Sequence, residues 1–262
     1  MTIMSHKEIY RYENPPIKEI LWEIKVESGE NWDWTIPGLF YSKIKEKYPK
    51  KRQVNLFEMQ IKLPRDKIQA PLPIASNKSI SKMMFLNDDE NFFIQIVPNL
   101  ISCNQIKPYT HWNDFKNEVL SIFEKYIDLV KVKSIKKMTL RYIDLINIPK
   151  IDFKFTDYFN YYIHFPDEIP EFDMTRVFIN SILSFKDANG NLNLTLSSAP
   201  SKNDVYSFIL DWEYFIEDFQ GIQLSDISKW GDEAHEYIRK LFESLLTNKT
   251  KKLFGEKIYV TD

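Results

Sequence analysis

Cysteine is almost missing from this chain. Cys103 is the only one in 262 residues. No intramolecular disulfide can form, which suits a reducing compartment, and a cytoplasmic location is expected. Glycine is nearly as scarce. The six glycines, Gly29, Gly38, Gly190, Gly221, Gly231 and Gly255, are never closer than nine residues. Walker and dinucleotide-binding loops need clustered glycines, so that backbone N–H groups can approach a phosphate without a Cβ in the way, and both are excluded. No G-x-S-x-G nucleophile elbow occurs. Long apolar runs are missing too. No window approaches eighteen uninterrupted apolar residues, so no membrane span is expected. The first eight residues carry no apolar core of a signal peptide. Nor does one charge dominate, with 35 basic and 37 acidic residues and a net charge of −2. Such a balance creates no global field toward DNA or anionic lipid, so nucleic acid is not indicated as a partner. Of the four histidines, His6, His111, His164 and His235, none has a partner at metal-ligand spacing, and no metal or cofactor is expected.

What is present is apolar and aromatic. Hydrophobic residues make up 44% and aromatic residues 15%, ample for a sizeable core and against disorder. Arginine is rare (six of the basic residues), whereas Lys, Ile and Asn are plentiful, the imprint of an AT-rich prokaryotic genome.

Hydropathy periods point to alternating strands and helices. Residues 17–26 alternate, with Ile20, Trp22, Ile24 and Val26 on one face and Glu19, Glu23 and Lys25 on the other, the period of a half-buried strand. Ile36, Phe40, Ile44 and Tyr48 recur every four residues around Pro37, which predicts a short helix ended by Pro49. Residues 53–63 alternate again through Phe57, Met59 and Ile61. Residues 65–81, with two prolines among short polar side chains, read as a loop. Residues 82–86 and 92–97 flank a polar turn and predict a hairpin ended by Pro98. Residues 112–130 carry Phe115, Val119, Ile122, Phe123, Tyr126, Ile127 and Val130 at helical spacing, with Thr110 as the expected N-cap.

The same order then restarts. Residues 135–148 form a long alternating strand, and 155–165 a short helix or turn. Residues 174–185 and 191–197 flank Asn189-Gly190, a strong hairpin signal. Tyr206, Phe208, Leu210, Trp212 and Tyr214 share one face of a strand over 205–215, and residues 225–247 form a helix with Ala234, Ile238, Leu241 and Leu245 as its stripe. The expected fold class is α+β: antiparallel sheets packed on long helices. The repeated order suggests a pseudo-duplicated, helix-grip or TBP-like architecture. The expected lobes are residues 1–134 and 135–262, packed as one composite unit.

Strand parity also sorts the polar side chains. Arg141 shares a face with Ile143, Leu145 and Asn147. Ser207, Asp211 and Glu213 lie opposite the aromatic face of 205–215, and Arg176, Asn180 and Ser184 share the even face of 174–185. The structural reading is a solvent-facing surface on which Arg141 pairs with Asp211 or Glu213. The functional reading is a ligand-binding surface made of Arg141, Asn147, Arg176, Asn180, Asp211 and Glu213, its guanidinium groups offering bidentate contacts to phosphate or carboxylate. Acid–base chemistry by Asp211 and Glu213 is the third, without a partner group in view. Trp32, Trp34, Tyr109 and Trp112 sit in the turns before the two N-terminal helices and are interface candidates. Cys103 is expected to be a buried, inert thiol. His235, beside Trp230 and in register with Ile238 and Phe242, is expected to be structural, as is Trp230.

Three motifs carry a resemblance over nearly the whole length. They are Asn14-Pro15-Pro16-Ile17-Lys18-Glu19-Ile20, the run from Leu140-Arg141-Tyr142-Ile143-Asp144 to Pro149, and Trp230-Gly231-Asp232-Glu233-Ala234-His235 followed by Phe242 and Thr247. With them the chain resembles a sporadically distributed prokaryotic family of about 250-residue proteins of unknown function. Asp144 stands where that family more often has Asn. The scattered occurrence of the family implies mobile cassettes, such as anti-phage defence loci, and no reaction. The leading expectation is a non-enzymatic cytoplasmic binding or interaction module, a component of such a cassette, with a protein partner or a second copy and no membrane. The alternatives are a ligand or nucleic-acid sensor using the polar sheet face, and an enzyme of unknown class using Asp211, Glu213 and Arg141.

Overall fold

The computed structural model describes residues 10–29, 32–60, 74–109, 111–151, 153–166, 168–169, 176–186, 190–201, 204–221 and 223–259, with backbone alone for 55–60 and 74–80. In chain order the strands are β1 (Tyr10–Tyr12), β2 (Ile17–Ser28), β3 (Lys50–Gln60), β4 (Ile74–Leu86), β5 (Phe92–Val97), β6 (Leu100–Ile106), β7 (Val132–Pro149), β8 (Phe178–Ser184), β9 (Asn191–Ala199), β10 (Val205–Phe219) and β11 (Lys257–Tyr259). The helices are α1 (Thr35–Ile44), α2 (Trp112–Val130), α3 (Leu224–Leu245) and α4 (Asn248–Lys251). Long strands beside a few helices make the fold α+β.

Two compact units divide the chain, and their bounds interleave. One, the N-terminal unit, comprises Leu21–Met138 and Asp218–Ile227; the other, the C-terminal unit, comprises Met1–Ile20, Thr139–Glu217 and Ser228–Asp262. The sequence reading cuts once, between 134 and 135. The observed bounds fall inside β2, β7, β10 and α3, because a strand or helix long enough to serve two cores leaves no linker to mark the change.

In the N-terminal unit the strands run in the order β3-β4-β5-β6-β2. Tight antiparallel pairing sets the register, with Lys50 opposite Leu86, Met83 opposite Ile96, and Ile96 opposite Ile101. The stretch 74–81, expected as a loop, is strand. Its Ser, Asn and Lys residues have low strand propensity, and pairing of Ile80 with Leu56 and Ile74 with Gln60 overrides it. Residues 65–73, Thr110 and the Phe57–Ile61 side chains lie outside the described residues. β6 has no counterpart in the sequence reading. It begins at once after the turn Pro98-Asn99, where Asn99 takes a left-handed φ of 61°. The apolar faces of β2, β4, β5 and β6 close on α1 and α2. Phe40 of α1 meets Phe85 and Tyr126 with ring centroids 6.0 and 6.1 Å apart, and Trp22 meets Phe123 at 5.8 Å. Each such ring, fully buried, contributes about 1.5–3 kcal/mol of transfer free energy.

In the C-terminal unit the order is β7-β10-β9-β8. The even-numbered residues of β7, β9 and β10 face α3: Leu140, Tyr142, Ile146 and Ile148; Leu192, Leu194 and Leu196; Phe208, Leu210, Trp212 and Tyr214, all buried. α3 answers with Trp230, Ala234 and Ile238, which are buried; Leu241 and Leu245 of the expected stripe are half-buried. The described part of the span 155–165 holds one short 3-10 turn, Phe155–Asp157, and is otherwise irregular. Thr247 caps α4, its hydroxyl accepting from the Thr250 N–H at 3.3 Å. β1 and β11 pair antiparallel, Arg11 opposite Ile258.

Candidate recognition face

α3 covers one face of the C-terminal sheet. The opposite face is built from the odd residues of β7, β9 and β10 and the even residues of β8, as the registers require. Asp211 lies opposite Thr195, which lies opposite Asn180; Glu213 lies opposite Asn193, which lies opposite Ile182; Ile209 lies opposite Ser197, which lies opposite Phe178. The Asp211 row is thus wholly polar, and the rows on either side of it mix polar groups with Ile182, Ile209 and Phe178.

The polar side chains of this face bond to one another across strands. Arg141 donates from Nε to Asp211 Oδ1 at 2.7 Å and from Nη2 to Asp211 Oδ2 at 2.5 Å, a bidentate ion pair. The hydrogen bond to Asp211 raises the guanidinium pKa further, burial opposes it, and the charges of Glu213 and Glu19 add to the rise. Asn180 Nδ2 donates to Asn193 Oδ1 at 2.7 Å and to Thr195 Oγ1 at 2.8 Å. Asn193 Nδ2 donates to Glu213 Oε2 at 3.2 Å, and Ser207 Oγ donates to Asn147 Oδ1 at 2.8 Å. These hydrogen bonds hold the strands in register and engage the donors that a phosphate would need.

Strand parity therefore brings together Arg141, Asn147, Asn180, Asp211 and Glu213. Arg176 is not among them. It lies exposed in irregular backbone two residues before β8, whose register with β9 runs from Phe178 to Ser184. Two residues that the sequence reading passed over share the face: Phe178, 72% exposed, and Ile182, 65% exposed. Their even numbers were the available signal. They were missed because only the polar members of that parity were followed.

The helix-covered side holds the other groups of interest. His235 Nδ1 lies 2.8 Å from Tyr142 Oη, across the junction of α3 and β7. Trp230 is buried, its ring centroid 5.9 Å from that of Tyr214. Burial, and then the charges of Tyr237 and Glu233, push the Tyr214 hydroxyl up to about 12. Asp144, which sequence parity places on the buried face, is a carboxylate only 2% exposed that accepts from Trp212 Nε1 at 2.9 Å. A second polar cluster joins β1, β11 and α3. Tyr12 Oη donates to Glu243 Oε1 at 2.9 Å, and Lys251 and Lys257 stand 3.3 and 3.7 Å from Glu243 Oε2. Burial would raise the Glu243 pKa, but hydrogen bonds from Tyr10 and Tyr12 and the two lysine charges hold it below its usual value.

In the N-terminal unit the four interface candidates have different fates. Trp112 stacks on Trp22 with centroids 5.5 Å apart, a packing role. Trp32 and Tyr109 are half-buried, and Trp34, at the start of α1, is 55% exposed. Cys103 is fully buried, and burial, with the Glu118 charge second, pushes its thiol well above the ordinary range. A cavity of about 260 Å³ beside Lys133, Lys136, Asp218 and Phe219 is lined by none of the residues of the polar face. Among the described residues no three His, Cys, Asp or Glu side chains converge as a metal site, and no helix is long and apolar enough to cross a membrane. In comparisons with known proteins, no family model matches this chain, and no curated protein matches it at a significant level.

Proposed function

We propose that the chain is a non-enzymatic binding module and that the helix-free face of the C-terminal sheet is its recognition surface, with a protein as partner. One observation carries this. Phe178 and Ile182 present large apolar side chains, 72% and 65% exposed, on a face whose polar groups are already hydrogen-bonded to one another. Exposed apolar side chains beside a satisfied polar surface are what a protein interface uses. The phosphate-reading alternative fares worse on the same face. The Arg141 guanidinium is held bidentately by Asp211, with Glu213 and Glu19 near enough to raise its pKa, so the donors that would grip a phosphate are engaged by carboxylates. The enzyme reading is disfavoured by the same pairing, since Asp211 is spent on Arg141.

The element orders β2-α1-β3-β4-β5-β6-α2 and β7-turn-β8-β9-β10-α3 support a pseudo-duplicated fold of the helix-grip or TBP-like kind as part of this proposal. The family resemblance extends it to a cytoplasmic component of a mobile anti-phage defence cassette.

The test is in-cell photo-crosslinking with benzoylphenylalanine at position 178 or 182, and at the exposed Asp88 as control. Protein adducts at 178 and 182 but not at 88 are expected. No adduct at either sheet position, or adducts to nucleic acid only, refutes the reading.

A further inference from the structure

Among the described residues β8 is the last strand of its sheet, pairing with β9 on one side only. The bond from Ser198 N–H to Val177 C=O, 2.9 Å, makes Val177 and Ser198 a hydrogen-bonded pair. Antiparallel alternation then aims the backbone groups of Ile179, Ser181 and Leu183 at β9. It aims those of Phe178, Asn180, Ile182 and Ser184 at the open edge. Among the described residues no backbone group bonds them on that side. Natural edge strands are guarded by charge, proline, bulges or shortness. The sequence Phe178–Ser184, FINSILS, contains no charged residue and no proline, and its pairing with β9 shows no bulge.

We propose that β8 pairs antiparallel with the β8 of a second copy of this chain, about a two-fold axis through Asn180. This rests on the reading of this face as a protein-binding surface and names its partner. Self-complementarity is the reason for choosing a second copy. A two-fold axis through a residue pairs even residues with even residues, so every outward N–H and C=O finds its mate. With the axis at Asn180, Phe178 lies across from Ile182 of the other copy, twice, an aromatic–β-branched pair on the exposed face. Asn180 meets Asn180. An axis at Ser181 would instead set Phe178 against Ser184 and lose the aromatic–β-branched pair. One short strand from each copy makes a small interface, so association in about the micromolar range is expected.

Sedimentation velocity and light scattering on the whole chain test this. The wild type should dimerise at concentrations up to about 100 µM, and Ile182→Lys should weaken the dimer at least about tenfold with an unchanged melting temperature. Phe178→Lys should do the same and serves if Ile182→Lys does not fold. A short bis-maleimide fixes the register. Asn180→Cys should cross-link to its twin. Ser184→Cys should not, since eight residues at about 3.3 Å each put the two sulfurs about 26 Å apart. Cys103 is 0% exposed and should stay silent. A wild type that is monomeric at that concentration overturns the proposal, as do dimers indifferent to both lysine variants or equal cross-linking at 180 and 184. Each of these leaves the broader reading standing if position 178 still yields protein adducts in cells; loss of those adducts sinks the reading itself.

Discussion

Among the described residues Arg141 is the guanidinium that three carboxylates of this face act on, and this makes a double-mutant cycle with Asp211 informative. The bonds are 2.7 and 2.5 Å, and the side chains are 40% and 22% exposed. A fully exposed pair is worth about 0.2–1 kcal/mol, and a buried hydrogen bond to a charged group about 1.5–3 kcal/mol. A half-buried bidentate pair falls between them, so a coupling energy of about 1–2 kcal/mol is expected. The single variants should not cost the same. Arg141→Leu leaves the half-buried Asp211 carboxylate without its bidentate partner and should cost about 2–3 kcal/mol. Asp211→Leu leaves Arg141 with Glu213 and Glu19 still near and should cost about 1–2 kcal/mol. The double variant should be no less stable than Arg141→Leu alone. Urea denaturation followed by fluorescence, with Trp212 and Trp230 reporting on the C-terminal unit, measures all four corners. The coupling should shrink, without vanishing, as salt rises from about 0.05 to 0.5 M. A coupling below about 0.3 kcal/mol, or Asp211→Leu costing more than Arg141→Leu, would refute this account of the face.

Three further outcomes are expected. Cys103, buried with a raised thiol pKa, should react with Ellman's reagent only after denaturation; rapid reaction of the native protein would contradict its placement. Glu243 has a lowered folded pKa, so its stabilisation is present above the unfolded value near 4.5 and is lost as pH falls through the folded pKa. The melting-temperature gap between wild type and Glu243→Gln should therefore be open at pH 7 and close as pH falls below the unfolded value near 4.5, and a gap that widens on acidification reverses the sign. His235→Ala removes the hydrogen-bond partner 2.8 Å from Tyr142 Oη and should cost about 1–3 kcal/mol while leaving photo-adducts at position 178 intact. Unchanged stability with lost adducts would make His235 a functional residue instead.

Period-two and period-four patterns were enough to place α2 at Trp112–Val130 and to separate the two faces of β7 and β10. The reason is that burial on one side of a regular element writes its period directly into the chain. The same parity was enough to place Arg141 on one face with Asp211 and Glu213, and the structure chooses Asp211 as its bidentate partner. Short-range signals failed where pairing partners are distant. β4 over 74–81 has the composition of a loop and is strand because β3 lies beside it. β1 and β11 are three residues each and exist by pairing with one another. The interleaved unit bounds likewise depend on which core each half of a long strand joins. Sequence alone determined that Phe178–Ser184 is uncharged and that Phe178 and Ile182 share parity with Asn180. Only the tertiary structure decided that this strand stands at an edge with its even backbone groups turned outward, since edge position is set by the order of strands in the sheet and not by any residue of the strand itself.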